Sequence, residues 1–215
     1  MSAFYRAGHA MKIVVISPHP DDLEIGCGGT LKHFQDQGAD ITSVITVAPS
    51  AEINTQRDFE IVQQELSSSY QQSGWNLRVF KTPLHANGRP NLVCDNNTMT
   101  DLAELIDSCD LAIIPNPQDS HQDHRTTYDL AWPIVQRRAR EVWCMHSWPY
   151  CYHYQQNSAN MYVGIDWNFK RQLLECYASY LTAQDIEKIH TLNRMWGHKS
   201  GNLEAEAFEL AYKYV

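Results

Sequence analysis

Lys12-Ile13-Val14-Val15-Ile16-Ser17-Pro18-His19-Pro20-Asp21-Asp22 decides how the rest of the chain is read. Four consecutive β-branched residues favour a strand buried on both faces. An imidazole and two carboxylates follow almost at once. A second stretch repeats the form: Leu111-Ala112-Ile113-Ile114, then His121-Gln122-Asp123-His124. Apolar strands that run into such groups place metal-binding and proton-transfer chemistry at the carboxyl edge of a sheet, where open α/β folds bind their ligands.

Working outward, strand and helix signals alternate. The patterning predicts strands over Lys12–Ser17, Asp40–Val47, Leu77–Phe80, Leu111–Pro115, Glu141–His146 and Tyr162–Asp166. It predicts helices over Gly28–Gln37, Thr55 to Gln72, Thr98–Ser108 with Thr98 as N-cap, and Asp123–Arg140 around Pro133. Three more, Asn168–Leu181, Ala183–Trp196 and Leu203–Tyr214, make a helical C-terminal part. Between them Thr82–Asn97, with its Pro, Gly and Asn residues, is a loop. No repeat or linker divides residues 1–215, so the expected architecture is one α/β domain with a Rossmann-like, mainly parallel sheet flanked by helices. In the order 3-2-1-4-5, strands 1 and 4 are neighbours and the two polar clusters meet across one crevice.

Composition narrows the function classes. At 215 residues, 43% apolar and 20% charged, the chain has material for one large core. A net charge of -8 argues against nucleic acid or an anionic membrane surface as partner. No apolar run approaches the roughly 20 residues needed to span a bilayer, and Met1 to Lys12 lacks the apolar stretch of a signal peptide. Six cysteines with no Cys-x-x-Cys pair read as reduced core thiols, which suggests the cytoplasm.

Catalytic zinc takes three protein ligands and keeps a position for water; His19, Asp22 and His124 supply such a set. Asp21 is then free to accept a proton from that water. His121, one helical turn before His124, can as an imidazolium stabilise an oxyanion and protonate a leaving amine. Asp123 would orient that ring and keep it charged. Taken singly, Asp21 or Asp22 would serve as a helix cap, and so would Asp123. Taken together, the cluster would be costly to bury without a cation. Gly26-Cys27-Gly28-Gly29-Thr30 lacks the spacing of a dinucleotide loop, so its glycines read as a close packing surface and Cys27 as core. These residues point to a zinc-dependent hydrolase, with another divalent ion such as Fe2+ as an alternative occupant.

Pro18 through Thr30 resembles the opening motif of the PIG-L/LmbE family of zinc-dependent N-deacetylases, and Asp119-Ser120-His121-Gln122-Asp123-His124 resembles its second motif. Arg194-Met195-Trp196-Gly197 with Ala205-Glu206-Ala207-Phe208, and the segment Lys170 to Ser179, are similar to its closing parts. The resemblance implies removal of acetyl groups from N-acetylglucosamine linked to a carrier. It also implies His19, Asp22 and His124 as ligands, Asp21 as base and His121 as acid, with Glu24 supporting the loop. Asn87-Gly88 stands where family members often carry Asp-Gly. Arg57, after the short loop from Pro49 to Gln56, is the candidate substrate-binding residue, and the aromatic run Trp148 to Tyr154 either walls a sugar pocket or belongs to a core or oligomer contact. The expected partner is a small amino-sugar substrate, with homo-oligomerisation left open. Three rival readings remain from the residues: iron-dependent oxygenation, metal-dependent cleavage of a non-sugar amide, and non-catalytic sugar binding.

Overall fold

Six strands of predicted β character, and one that was not predicted, share a single sheet in the computed structural model, which describes residues 10–47, 56–85, 90–149 and 159–213. In chain order the elements are β1 (Lys12–Ser17), α1 (Asp22–Gln35), β2 (Asp40–Ile45), α2 (Gln56–Ser73) and β3 (Asn76–Val79). There follow α3 (Asn96–Glu104), β4 (Cys109–Pro115), α4 (Gln122–Arg138) and β5 (Ala139–Met145). The chain finishes with β6 (Met161–Gly164), α5 (Trp167–Glu175), α6 (Ala183–Ser200) and β7 (Ala205–Lys213). The sheet order is β3-β2-β1-β4-β5-β7-β6. Its first five strands are parallel, with Ile13 opposite both Ile41 of β2 and Leu111 of β4. Strand order therefore reverses between β1 and β4, and the crevice at that reversal opens at their carboxyl ends.

Period-two alternation sorts the strand side chains into two cores. Ile13, Val15, Leu111, Ile113, Trp143 and Met145 pack with Leu23, Cys27 and Leu31 of α1, Leu66 and Tyr70 of α2, and Leu173 of α5. Val14, Ile16, Ala112, Ile114, Val142 and Cys144 pack on the other face with Leu102 of α3 and Leu130, Ala131, Ile134 and Val135 of α4. Each such side chain contributes on the order of 1.5–3 kcal/mol when fully buried.

The structure corrects three expectations. Residues 203–214 are not a helix: β7 runs antiparallel between β5 and β6. Ala, Glu and Leu give this segment helix propensity, but the open edge of β5 offers unpaired backbone groups, and pairing there outweighs propensity. Helix α1 starts at Asp22, six residues before the predicted Gly28, because its glycines lie inside the helix. A Cβ on Gly26 would stand 2.7 Å from Met145 Sδ, and one on Gly29 2.6 Å from Ile165 Cβ. Asp95, not Thr98, caps α3, its Oδ1 accepting the Thr98 N–H at 2.8 Å.

One polar contact ties the two ends of the fold. Lys170 on α5 and Glu206 on β7 are fully buried and 2.7 Å apart. Lys170 Nζ also donates to the Ile25 carbonyl at 2.7 Å, and Glu206 accepts the N–H groups of Gly29 and Thr30 at 3.0 and 2.7 Å. Ile25 carbonyl and Gly29 N–H are an i→i−4 pair of the α1 ladder, so a side-chain ion pair engages both halves of one helical rung.

Candidate active site

The chain leaves β1 at Ser17, turns through Pro18-His19-Pro20-Asp21 and enters α1. Asp21 is the only described non-glycine residue with positive φ, at 88°, and its side chain makes no capping hydrogen bond. The simple reading of Asp21 as a helix cap is thereby removed. A non-glycine residue outside the ordinary regions costs roughly 1–3 kcal/mol and persists only where its surroundings enforce it. Asp22 is buried, and its Oδ2 collects three contacts. It accepts the His19 backbone N–H at 2.9 Å and lies 3.0 Å from His19 Nδ1 and 3.3 Å from His124 Nε2.

The second motif arrives from β4 through a turn whose centre is Asp119. Its Oδ1 accepts the His121 N–H at 3.0 Å, and its Oδ2 lies 2.8 Å from Nδ1 of the buried His124. That bond fixes the His124 ring with Nε2 toward Asp22, the arrangement in which a carboxylate orients a ligating imidazole. The sequence assigns Asp119 no role within the second motif; its position five residues before His124 shows nothing until the turn is folded. Arg125 Nη1 closes the outside of the turn, donating to the carbonyls of Asp119 and Ser120 at 2.9 and 2.6 Å.

His121 is the N-cap of α4, its Nδ1 accepting the Asp123 N–H at 3.2 Å. The Asp123 carboxylate does not take the place foreseen for it beside His121: it hydrogen-bonds His19 Nε2 at 3.0 Å. A ring that accepts on Nδ1 keeps its proton on Nε2, so His121 stands here as a neutral imidazole and not as the expected imidazolium. Burial, followed by the charges of His19 and His124, holds its pKa below the usual histidine value.

The remaining electrostatics follow from who touches whom. Burial would lower His19, but hydrogen bonds from the Asp123 and Asp22 carboxylates reverse the effect and raise it to about 10. His124 shows the same contest, burial against the Asp22 charge and the Asp119 bond, and ends at about 9. Burial acts to raise Asp22, yet the two imidazoles win and hold it well below the carboxylate range. Asp21 goes the other way: burial, then the neighbouring Asp22 and Glu24 carboxylates, push it well above that range. Two carboxylates adjacent in sequence are thus driven to opposite protonation states.

The donor set suits a divalent cation. Ring nitrogens of His19, His121 and His124 lie within 4.8 Å of one another, with ring centroids 5.0–5.5 Å apart. Ligand atoms about 2.0–2.1 Å from a tetrahedral ion are about 3.3 Å apart, close to the 3.3 Å between Asp22 Oδ2 and His124 Nε2. Two imidazoles and one carboxylate match a catalytic zinc set, and a cation there would take the role that shared protons play in bridging Asp22 to both rings.

Glu24 is buried in the first turns of α1, accepting from Ser69 Oγ at 2.5 Å and Tyr177 Oη at 2.8 Å. Cys27 sits in the core as expected. Arg57 falls in the first turn of α2, but its side chain lies outside the described residues, as do the loop from Pro49 to Thr55, Asn87-Gly88 and Tyr150 to Tyr154. Trp148, at the start of that aromatic run, packs against the clusters around Leu174 and Trp196, with Lys188 Nζ 5.4 Å from its ring centre.

Known proteins share this fold. N,N'-diacetylchitobiose deacetylase from Pyrococcus horikoshii superposes with a TM-score of 0.74 at 20% identity, over 94% of this chain and 84% of that one. The A40926 pseudoaglycone deacetylase Dbv21 gives 0.76 at 18% identity, over 96% and 99%. The 4-carboxy-2-hydroxymuconate hydratase GalB from Pseudomonas putida KT2440 gives 0.70 at 15% identity, over 95% and 98%. Likeness at these identities establishes the fold. No curated protein matches the sequence. The sequence profile of GlcNAc-PI de-N-acetylase, PIG-L, matches residues 14–135, a span that holds both motifs and more than half of the chain. The chain belongs to the PIG-L family.

Proposed function

We propose that the protein is a metal-dependent hydrolase that removes an acyl group, acetyl first among them, from an N-acylated amino sugar or its conjugate. The observation that carries this reading is the meeting of His19, His121 and His124 with the Asp22 carboxylate at the carboxyl edge of β1 and β4, with Asp21 next to Asp22 in the turn before α1. In it His19, Asp22 and His124 hold the ion, Zn2+ by preference. A divalent ion at that set supplies a Lewis acid and acidifies an adjacent water, and its charge opposes the burial that keeps Asp21 protonated. Asp21, once ionised, takes a proton from the attacking water. His121, its Nδ1 anchored on the Asp123 N–H, donates a hydrogen bond from Nε2–H to the oxyanion that forms, and the proton taken up by Asp21 passes on to the departing amine. Asp123, bonded to His19 Nε2, steadies the first ligand and not His121.

Membership of the family and the deacetylase activity named for two structural neighbours support this reaction class. Arg57 is the proposed contact to a polyhydroxyl or anionic part of the substrate. Free thiols at every described cysteine support a reducing compartment, the cytoplasm, as the place of action, and no described helix is long and apolar enough to cross a membrane.

The test is acetate release from a panel of N-acetylated sugars, nucleotide sugars and glycosyl conjugates, before and after chelation and with Zn2+ or Fe2+ restored. Release that requires the ion and is lost in His124→Ala is expected. Because GalB shares the fold and is a hydratase, unsaturated acids belong in the same panel. Turnover of those alone, with no amide cleaved, would overturn the proposal.

A further inference from the structure

Asn116 immediately follows β4, His146 immediately follows β5, and Glu209 lies on β7; none of the three belongs to the ligand or proton-transfer set. Pro115 is in register with Met145, and Cys144 with Glu209, so the three residues meet on the α4 face of the sheet. Asn116 Nδ2 donates toward His146 Nε2 and toward Glu209 Oε2, both at 3.4 Å. Each bond is long and weak alone, but together they fix which way the amide faces. Its Oδ1 is thereby aimed at the Gln118 N–H, which it accepts at 2.9 Å, while the Asn116 carbonyl accepts the Asp119 N–H at 3.1 Å. This is the turn that presents Asp119 to His124.

From this geometry we propose that Asn116, oriented by His146 and Glu209, is a positioning residue that holds the Asp119 carboxylate against the His124 ring. The proposal rests on the metal-site reading for its purpose, though not for its geometry. It assigns a task to β7: the antiparallel extension supplies Glu209 and so helps set the second motif. Turn, carboxylate and ring then form one chain of contacts from the added strand to the candidate ligand.

Two readouts on the full-length protein test it. The first needs no metal: in chelated protein, proton NMR should show a downfield imidazole N–H for His124 Nδ1 held by Asp119, absent in Asp119→Ala. The second is Zn2+ affinity by chelator competition, with Co2+ absorption as a check on ligand geometry. Asn116→Ala is expected to lose the resonance to solvent exchange and to weaken Zn2+ binding about tenfold, the low end of what outer partners contribute. Glu209→Ala should move both readouts the same way, and Glu209→Gln, which keeps an acceptor oxygen, should restore them. Should both alanine variants fold and keep the resonance and the wild-type affinity, the proposal fails. If Asn116→Ala does not fold, the Glu209 pair decides. Wild-type protein that binds neither ion would refute the metal reading, and the resonance alone would then judge Asn116.

Discussion

Asp21 concentrates the conflict between stability and chemistry in one residue. Its backbone lies at φ 88°, and its carboxyl is crowded by Asp22 and Glu24. Asp21→Asn should retain the metal and lose about 10²–10⁴ in rate, the usual cost of removing a general base; metal analysis beside acetate release checks both halves. Asp21→Gly should be equally inactive yet more stable, by on the order of 1 kcal/mol, since glycine accepts positive φ and the crowded carboxyl is gone. A lower urea midpoint for Asp21→Gly would show that the backbone there is not strained. Asp119→Ala, which removes no ligand but frees the His124 ring, should weaken metal binding about 10–100-fold. Residues of this kind differ in how far the sequence displays them. That His19, Asp22 and His124 share one crevice was legible because each follows closely on an apolar strand whose end the sequence marks. The partner of Asp123 was not, because it depends on how the first turn of α4 faces a residue 104 positions earlier.

Among elements, α1 shows how packing overrides local preference. Glycine lowers helix propensity by about 1 kcal/mol relative to alanine, which is why the sequence placed the helix start after Gly26. The structure separates glycines that matter from one that does not. A Cβ on Gly28 would meet nothing nearer than Leu173 Cδ1 at 3.6 Å, an ordinary contact. Gly28→Ala should therefore be neutral or stabilise by up to about 1 kcal/mol. Gly29→Ala should destabilise by about 1–3 kcal/mol, since Ile165 must move to admit the methyl. Thermal melts of the two variants should fall on opposite sides of the wild type or, for Gly28→Ala, on it. The centre of the parallel sheet, β1, β4 and β5, could be read from its apolar runs because these strands are buried on both faces over most of their length. β7 could not, since its strand state comes from edges made by β5 and β6, far away in the chain.

For the molecule as a whole, the Lys170–Glu206 pair is the most exposed to mutation. Removing one partner of a buried pair strands the other charge at a cost of about 3–5 kcal/mol. Lys170→Met should lose that much in urea unfolding, with the slope unchanged. Adding Glu206→Gln should recover part of the loss, because the side chain then carries no charge and its one amide oxygen still accepts from Gly29 or Thr30. No recovery in the double variant would mean that the carboxylate charge is not what the lysine offsets. The same rung has a consequence in time. Gly29 and Glu206 are 177 residues apart, and Ile25 and Lys170 are 145 apart. At about 5–20 residues per second of synthesis, the first motif waits on the order of ten seconds for the strand that closes its helix. During that interval His19 and Asp22 have been made just before and at the start of a helix whose middle rung lacks its partners. The helix that carries Asp22 therefore receives its last partners only after translation has passed β7, although the three candidate ligands are all made by residue 124.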